Sequence, residues 1–515
     1  MQYTNRLFSF KPSLIEKITL IDSHKTSHPA NSGNIVDSVS NRLLKKHGKN
    51  FKFWIEAYGC SANFSDMEMI AGILQQDGFD MADQPELADI NLIVTCSVKN
   101  STEHKMINRI KTLSNSNRPL IIAGCLPAAD ERLVKSLSPK ASLIGPDSVK
   151  SITAVALYAL QHNPITYLDS LKDEKINLPK VRINPIISIV QIATGCLSEC
   201  TFCQTKLAKG NLKSFRTGHI IKQIKSDIET GSKEIWLTST DNGCYGLDIG
   251  TNIVNLINGC EQIDKYFRIR LGMLNPMYLK NFGKELSITY STSNKLFKFI
   301  HIPIQSGSEP ILKKMKRGLT LSSLLELVDR LRTSIPNITI ATDIITGFPS
   351  ETDDDFDKTL KLIRDIEPDI VNSSKFSSRP GTLASKMVKV NDEIISMRSE
   401  KLHKLIKKIA LEKNSKWQGW KGEILIDDIE NGILKGRNDY YKSISLDQDP
   451  NQLFTYSNDK DQKKYKSLVE KTEFHSFFAK NRSRFQNPHM GKRVIVKVIS
   501  NSHHTLNAIP LEIVN

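Results

Sequence analysis

Apolar residues in this chain come in short runs of strand length rather than long blocks. Phe53-Trp-Ile-Glu-Ala-Tyr-Gly-Cys60, Asp89-Ile-Asn-Leu-Ile-Val-Thr-Cys96 and Pro119-Leu-Ile-Ile-Ala-Gly-Cys125 are each rich in β-branched or aromatic residues, and a helical pattern follows each one. Repeated strand-then-helix units predict a parallel sheet, whose ligands gather at the carboxyl ends of its strands. From about Arg182 to Leu411 six more strand candidates alternate with helical segments: Ile186–Ile192, Glu234–Thr238, Arg268–Met273, Phe299–Pro303, Thr339–Ile345 and Asp369–Phe376. Six such units predict a partial α/β barrel rather than an eight-stranded one, although periodicity alone leaves this open. Beyond residue 415 the pattern changes to short alternating strands between Gly and polar turns, around Glu423–Asp427, Gly436–Ser443 and Lys492–Ser500. That pattern reads as a small β-barrel. The expected organisation is α/β, with a parallel-sheet unit over 51–165, a partial (β/α)6 core over 182–411 and a barrel over 415–515. A polar, turn-rich insertion over about 446–489 is assigned no role.

A chain of 515 residues is too long for one core. The first fifty residues are rich in Ser, Asn and Lys and read as an extension. Glu16, Asp22 and Asp37 argue against a transit peptide, which is usually poor in acids. No apolar run approaches the roughly 20 residues needed to span a membrane, so no membrane partner is expected. Eight cysteines are too few for a disulfide scaffold at this length, and their grouping points to metal in a reducing cytoplasm. The net charge of +16 and a pI near 9.3 suit a polyanionic partner, because phosphate binding is driven by counterion release. Residues 401–515 carry 21 Lys and Arg against 13 Asp and Glu, so under a quarter of the chain holds half of the excess charge. A solvated helix face is the plainer reading of any single lysine run within it.

Six of the eight cysteines form two sets of three. In Cys196-Leu-Ser-Glu-Cys200-Thr-Phe-Cys203, gaps of three and two residues let one loop aim three thiolates at a single iron–sulfur cluster. Ferredoxin-type ligation uses four cysteines, so three leave one iron open, as catalysis requires. A structural zinc site would want a fourth ligand, and the nearest histidine, His219, lies sixteen residues on. Cys60, Cys96 and Cys125 each end a predicted strand, which brings them to one rim of a parallel sheet. The plain alternative is three buried structural cysteines.

Cys-x3-Cys-x2-Cys, with Phe202 before its last cysteine, is the signature of radical S-adenosylmethionine enzymes. With both triplets, the chain resembles the methylthiotransferases of that superfamily. The resemblance is carried by Ala57-Tyr-Gly-Cys-Ser-Ala-Asn63, Thr95-Cys-Ser-Val98, Gly124-Cys-Leu-Pro127 and Thr194-Gly-Cys-Leu-Ser-Glu-Cys-Thr-Phe-Cys203. It continues through Ile304-Gln-Ser-Gly-Ser308, Met315-Lys-Arg-Gly318, Thr342-Asp-Ile-Ile-Thr-Gly-Phe-Pro-Ser-Glu351 and Ser378-Arg-Pro-Gly-Thr382, and it runs from about Phe51 to the C-terminus.

The resemblance implies two 4Fe-4S clusters, one on Cys196, Cys200 and Cys203 and one on Cys60, Cys96 and Cys125. One S-adenosylmethionine would serve as radical source and another as methyl donor. It also implies cofactor contacts near Phe202, Thr238, Ser239, Asp241, Gln305, Ser306 and Asp343, although turn chemistry explains any single Ser or Gly among them equally well. Gln204–Ser214 and Leu237–Gly246 resemble the archaeal and eukaryotic branch, which places methylthio at C2 of the threonylcarbamoylated adenosine just 3′ of the tRNA anticodon. Cys244 stands where that branch usually has Ala; it and Cys260 are taken as bystanders, Cys244 lying near the expected cofactor site. The last region resembles a TRAM domain, an RNA-binding barrel, with Lys416, Lys421, Arg437, Tyr441 and Lys442 as candidate tRNA contacts. The two tyrosines of the turn could equally be core residues. Other expected partners are a flavodoxin- or ferredoxin-like electron donor and an unidentified sulfur donor. Alternative readings are the same chemistry on isopentenylated adenosine or on a ribosomal-protein aspartate, or a non-catalytic iron–sulfur RNA-binding protein.

Overall fold

A computed structural model describes residues 50–97, 100–168, 174–318, 320–447, 485 and 487–514. The expected extension before Asn50 and most of the expected insertion at 446–489 lie outside the described residues. The first sheet is parallel throughout. It is built from β1 (Lys52–Ala57), β2 (Asp80–Met81), β3 (Ile90–Thr95), β4 (Leu120–Gly124), β5 (Ser142–Ile144) and β6 (Thr166–Tyr167), in the order β2-β1-β3-β4-β5-β6. Strands β3 and β4 are buried along their whole length. Their Ile-, Leu- and Val-rich runs suit a sheet covered on both faces. Helix Ser61–Gln76 lies between this sheet and the next one, which explains why Asn63, Ser65, Asp66 and Glu68 are buried on it.

The second unit begins with β7 (Ile187–Gln191). A short antiparallel pair follows, β8 (Ala193–Thr194) with β9 (Lys213–Ser214), and the loop between them carries Cys196, Cys200 and Cys203. The arc continues through β10 (Glu234–Thr238), β11 (Arg268–Leu271), β12 (Phe299–His301), β13 (Thr339–Thr346) and β14 (Ile370–Lys375), all parallel. It forms two three-stranded sheets rather than one continuous arc. Strand β12 is only three residues long, so the segment ahead of it bridges the gap: Ile269 N donates to Lys295 O (2.7 Å) and Phe297 N to Ile269 O (2.9 Å).

The third unit is a closed barrel of β15 (Lys421–Glu430), β16 (Ile433–Arg437), β17 (Ser443–Leu446), β18 (Arg493–Asn501) and β19 (Leu506–Val514), filled by Ile424, Ile426, Ile444, Val494 and Val496. It seats on the amino ends of the arc's strands, opposite the cysteine loop. Tyr441 packs between Phe297 and Phe299 with ring centroids 4.8 and 4.9 Å away. Lys442 Nζ lies 2.7 Å from Asp369 Oδ1, just ahead of β14, and Arg268 pairs with Asp439 at 2.9 Å. Arg437 stacks on Tyr441 and lies 3.4 Å from the buried Asp427 carboxylate. Three of the five residues expected to meet RNA therefore spend their side chains on this seam. Tyr441 and Lys442 are buried there, so neither offers a free surface for a base or a phosphate. Lys416 and Lys421 stay exposed.

Burial raises the carboxyl pKa of Glu234 and, with help from Glu234, that of Asp427, while Arg437 opposes both rises. Such groups favour the fold when protonated and weaken it as pH rises through their folded pKa. Arg437→Ala should therefore lower stability by about 3 kcal/mol, the low end for stranding buried charge. The loss should be larger near pH 8 than near pH 5, as read from thermal melts at both pH values. An equal loss at both would contradict this account of the seam.

Candidate active site

The register of the first sheet sets Ala57 beside Val94 and Thr95 beside Gly124, so the ends of β1, β3 and β4 are neighbours. Cys60 caps helix Ser61–Gln76, Cys96 follows β3 directly and Cys125 opens helix Cys125–Ala129. All three thus stand at one rim. Asn63 sits among them. Its amide nitrogen donates to Tyr58 O (2.8 Å) and Thr95 O (2.9 Å), which turns Oδ1 towards Cys60 Sγ (3.9 Å) and Cys125 Sγ (4.0 Å). Gly59 has φ +114°, and a Cβ there would come within 2.7 Å of Cys96 Sγ. Close approach of the backbone to the Cys96 sulfur therefore demands glycine. Burial pushes the Cys125 thiol up to about 12, so it would shed its proton only to a metal.

At the second rim, Ser198 N donates to Cys196 Sγ (3.3 Å) and Arg317 Nη1 lies 3.6 Å from Cys200 Sγ. Burial raises Cys200 and Cys203, whereas a hydrogen bond from Cys244 outweighs burial and holds Cys196 below the ordinary thiol range. Among the described residues, all eight cysteines are free. Neither trio draws its sulfurs close enough to grip a single ion, while the ligand atoms of Cys196, Asp241 and Cys244 lie within 4.8 Å of one another. All-thiol donor sets that are wider than one ion suit multi-iron clusters better than zinc.

Cys244, expected near the cofactor site, lies directly beside Cys196 and Asp241. It is fully buried, its Sγ lies 3.2 Å from Asp241 O and within 4.8 Å of Cys196 Sγ. The sequence places it near the expected cofactor site but not beside a particular cysteine, because an apolar core thiol and a thiol beside a ligand look alike in sequence. Cys260 does sit in the apolar core.

The remaining candidates divide by what they touch. Thr238 Oγ1 shares a 2.8 Å hydrogen bond with Ser61 Oγ, joining the two rims. Asp241 is buried between backbone N–H donors of Gly243 (2.9 Å) and Asn275 (3.0 Å), with Oδ2 3.9 Å from Cys196 Sγ. Ser239 donates to Asn242 Oδ1 (2.5 Å), and Phe202 meets Phe348 edge-on at 6.4 Å. Gln305 has φ +83° at a bridge to Ile344. Ser306 is spent on Thr359 (3.3 Å) and on the Ser308 N–H (3.2 Å). Asp343 accepts from His301 Nε2 (3.0 Å) and Asn372 Nδ2 (2.9 Å) on the strands to either side. Asn63 and Arg317 lie inside recognised motifs without having been singled out, and only the geometry shows that each touches a cysteine.

The rims are stitched together. Asp66 accepts from Lys175 Nζ and Gln191 Nε2, both at 2.7 Å, and Thr194 donates to Asp147 (2.6 Å). Arg379 pairs with Glu103 across the same seam.

A profile described as uncharacterized protein family UPF0004 matches residues 52–145, and the Radical SAM superfamily profile matches 190–363. The fold and the cysteine loop after β7 thus define a radical S-adenosylmethionine protein. A Pyrococcus abyssi protein named as a probable threonylcarbamoyladenosine tRNA methylthiotransferase is 38% identical over 378 residues, which is 73% of this chain and 88% of that one. The human threonylcarbamoyladenosine tRNA methylthiotransferase is 34% identical over 411 residues, 78% of this chain and 70% of that one. The chain belongs to the threonylcarbamoyladenosine tRNA methylthiotransferase family. A solved radical S-adenosylmethionine methyltransferase, TsrM from Kitasatospora setae, covers 65% of this chain and 75% of its own, with a TM-score of 0.48 and 11% identity.

In metal-free protein, Cys244→Ala should move the pH midpoint of Cys196 alkylation upward, because the hydrogen bond that favours its thiolate is lost. Mass spectrometry of iodoacetamide adducts across pH would read the midpoint, and an unchanged value would contradict the contact.

Proposed function

We propose that this protein adds a methylthio group to C2 of N6-threonylcarbamoyladenosine beside the tRNA anticodon. One observation carries the reading: two separate three-cysteine sites meet at one seam between two parallel sheets, in a chain of this family. Two 4Fe-4S clusters, held by Cys60, Cys96 and Cys125 and by Cys196, Cys200 and Cys203, supply sulfur carriage and reductive cleavage of S-adenosylmethionine.

The chain's own residues bind, orient and shield. Arg317 lays positive charge beside Cys200, and Asp241, held by the Asn275 N–H, lies beside Cys196. Thr238, Ser239, Gln305 and Phe202 line the S-adenosylmethionine side, while Asp343, held by His301 and Asn372, faces the nucleoside inside the arc. Ser306 braces the turn from behind. The functional units are 51–165, 182–411 and 415–515. The arc stays open at β14, whose residues are largely exposed, and helix Asp392–Ser415 runs along this edge. At its start Arg398 bonds Glu351 (2.9 Å), and at its end Asn414 reaches Ser502 O in the barrel (2.9 Å). Its length of roughly 36 Å spans from the carboxyl-end rim to the barrel. With Lys416 and Lys421 beyond it, this edge offers tRNA phosphates a basic track. Electrons come from a flavodoxin- or ferredoxin-like donor, and the sulfur source is a separate donor. Among the described residues no helix is long and apolar enough to cross a membrane. Free thiols in both trios fit a cytoplasmic setting.

Nucleoside mass spectrometry of total tRNA from a strain lacking the protein should show loss of the methylthio form of threonylcarbamoyladenosine alone. Wild type should restore it, and Cys96→Ala and Cys200→Ala should not. An unchanged nucleoside profile would overturn the substrate assignment.

A further inference from the structure

Three metal-ligand atoms converge from two segments of the chain at the second rim. Cys196 lies in the loop between β8 and β9, while Asp241 and Cys244 lie in the turn after β10. All three are buried, Asp241 and Cys244 almost completely. The two oxygens of Asp241 are used differently. Oδ1 accepts from the backbone N–H groups of Gly243 (2.9 Å) and Asn275 (3.0 Å), which fixes the carboxylate and leaves Oδ2 turned to Cys196 Sγ at 3.9 Å. Cys244 Sγ is held 3.2 Å from Asp241 O, and the two sulfurs and a carboxylate oxygen lie within 4.8 Å of one another. Metal–sulfur bonds of about 2.3 Å at tetrahedral angles set two sulfurs about 3.8 Å apart, so this trio closes on one ion with small side-chain shifts. Among the described residues, no other three ligand atoms of His, Cys, Asp or Glu are drawn together this tightly. No step of the proposed reaction uses Cys244.

We infer that the cluster-free protein holds a single divalent ion of borderline softness, zinc or ferrous iron, on Cys196, Cys244 and Asp241, with its fourth corner left to water. Two thiolates and a carboxylate are donors that such ions accept. Binding replaces two S–H bonds with two metal–sulfur bonds, both protons leave to solvent, and no electron moves. The single-ion site takes neither Cys200 nor Cys203. It does take Cys196, so ion and cluster exclude one another; this second half rests on the proposed cluster ligands. Cys244 thereby makes loading of that cluster sensitive to competing zinc.

The test is an anaerobic titration of reduced, metal-free, full-length protein with cobalt(II), read by optical absorption. Wild type should take up its first equivalent with the thiolate charge-transfer and visible bands of a tetrahedral, two-sulfur site. Cys244→Ala should weaken that binding at least about tenfold, or about 1.4 kcal/mol, and Cys200→Ser should leave it unchanged. Cys244→Ser, which keeps the side-chain size, makes the same comparison if the alanine variant does not fold. Survival of the bands without the Cys244 thiol, their loss in Cys200→Ser, or their absence from wild type would each overturn the single-ion site. One equivalent of zinc added before reconstitution should then lower iron uptake by about four per chain in wild type and not in Cys244→Ala. Undiminished uptake in a wild type that binds cobalt as expected would instead overturn the exclusion, and with it the assignment of Cys196 to the cluster.

Discussion

The arrangement depends on one buried carboxylate. Asp66, on the helix that Cys60 caps, is shared by Lys175 and by Gln191 at the end of β7, and Asp66 and Lys175 are all but sealed from solvent. An ion pair this deep gains little net stability against an apolar replacement, but stripping one partner from it is severely destabilising. Its value here is geometric. It fixes helix Ser61–Gln76 against the second sheet, so the carboxyl ends of both sheets are held rim to rim by Ser61–Thr238, Thr194–Asp147 and Arg379–Glu103. Without this seam the two cysteine trios would belong to two independent domains.

Electrostatics at the rims follows from the same burial. Five of the six cluster-candidate thiols lie in settings where water is scarce, and where shifts are resolved burial is the chief cause for Cys125, Cys200 and Cys203. Cys196 departs from them because Cys244 donates to it. Neutral buried thiols are inert, and metal binding converts them to thiolates whose charge the metal largely offsets. The cation placed against them, Arg317 at Cys200, suits the loaded state rather than the bare one.

Much of the fold was legible because parallel strands buried on both faces leave unbroken apolar runs. The runs at Glu234–Thr238 and Thr339–Ile345 became β10 and β13 nearly residue for residue. The strand-end position of Cys60, Cys96 and Cys125 was legible for the same reason. Contacts between units were not. Arg437, Tyr441 and Lys442 look like a basic, aromatic RNA-facing turn, yet their partners, Asp427, Phe297, Phe299 and Asp369, come mostly from a different unit of the chain. Sequence composition does not distinguish a solvated lysine from one that meets a distant aspartate. Asn63 and Arg317 were hidden for a related reason: each lies beside a cysteine brought to it by tertiary packing alone. The split of the arc between β11 and β12 reflects a three-residue strand too short to leave a pattern of its own.

The most direct test of two three-cysteine centres is metal analysis after anaerobic reconstitution. Wild-type protein should bind about eight iron and eight sulfide per chain, and Cys96→Ala should fall towards about four of each while keeping the S-adenosylmethionine-responsive cluster signal. About four iron in wild type, with no further loss in Cys96→Ala, would contradict the account.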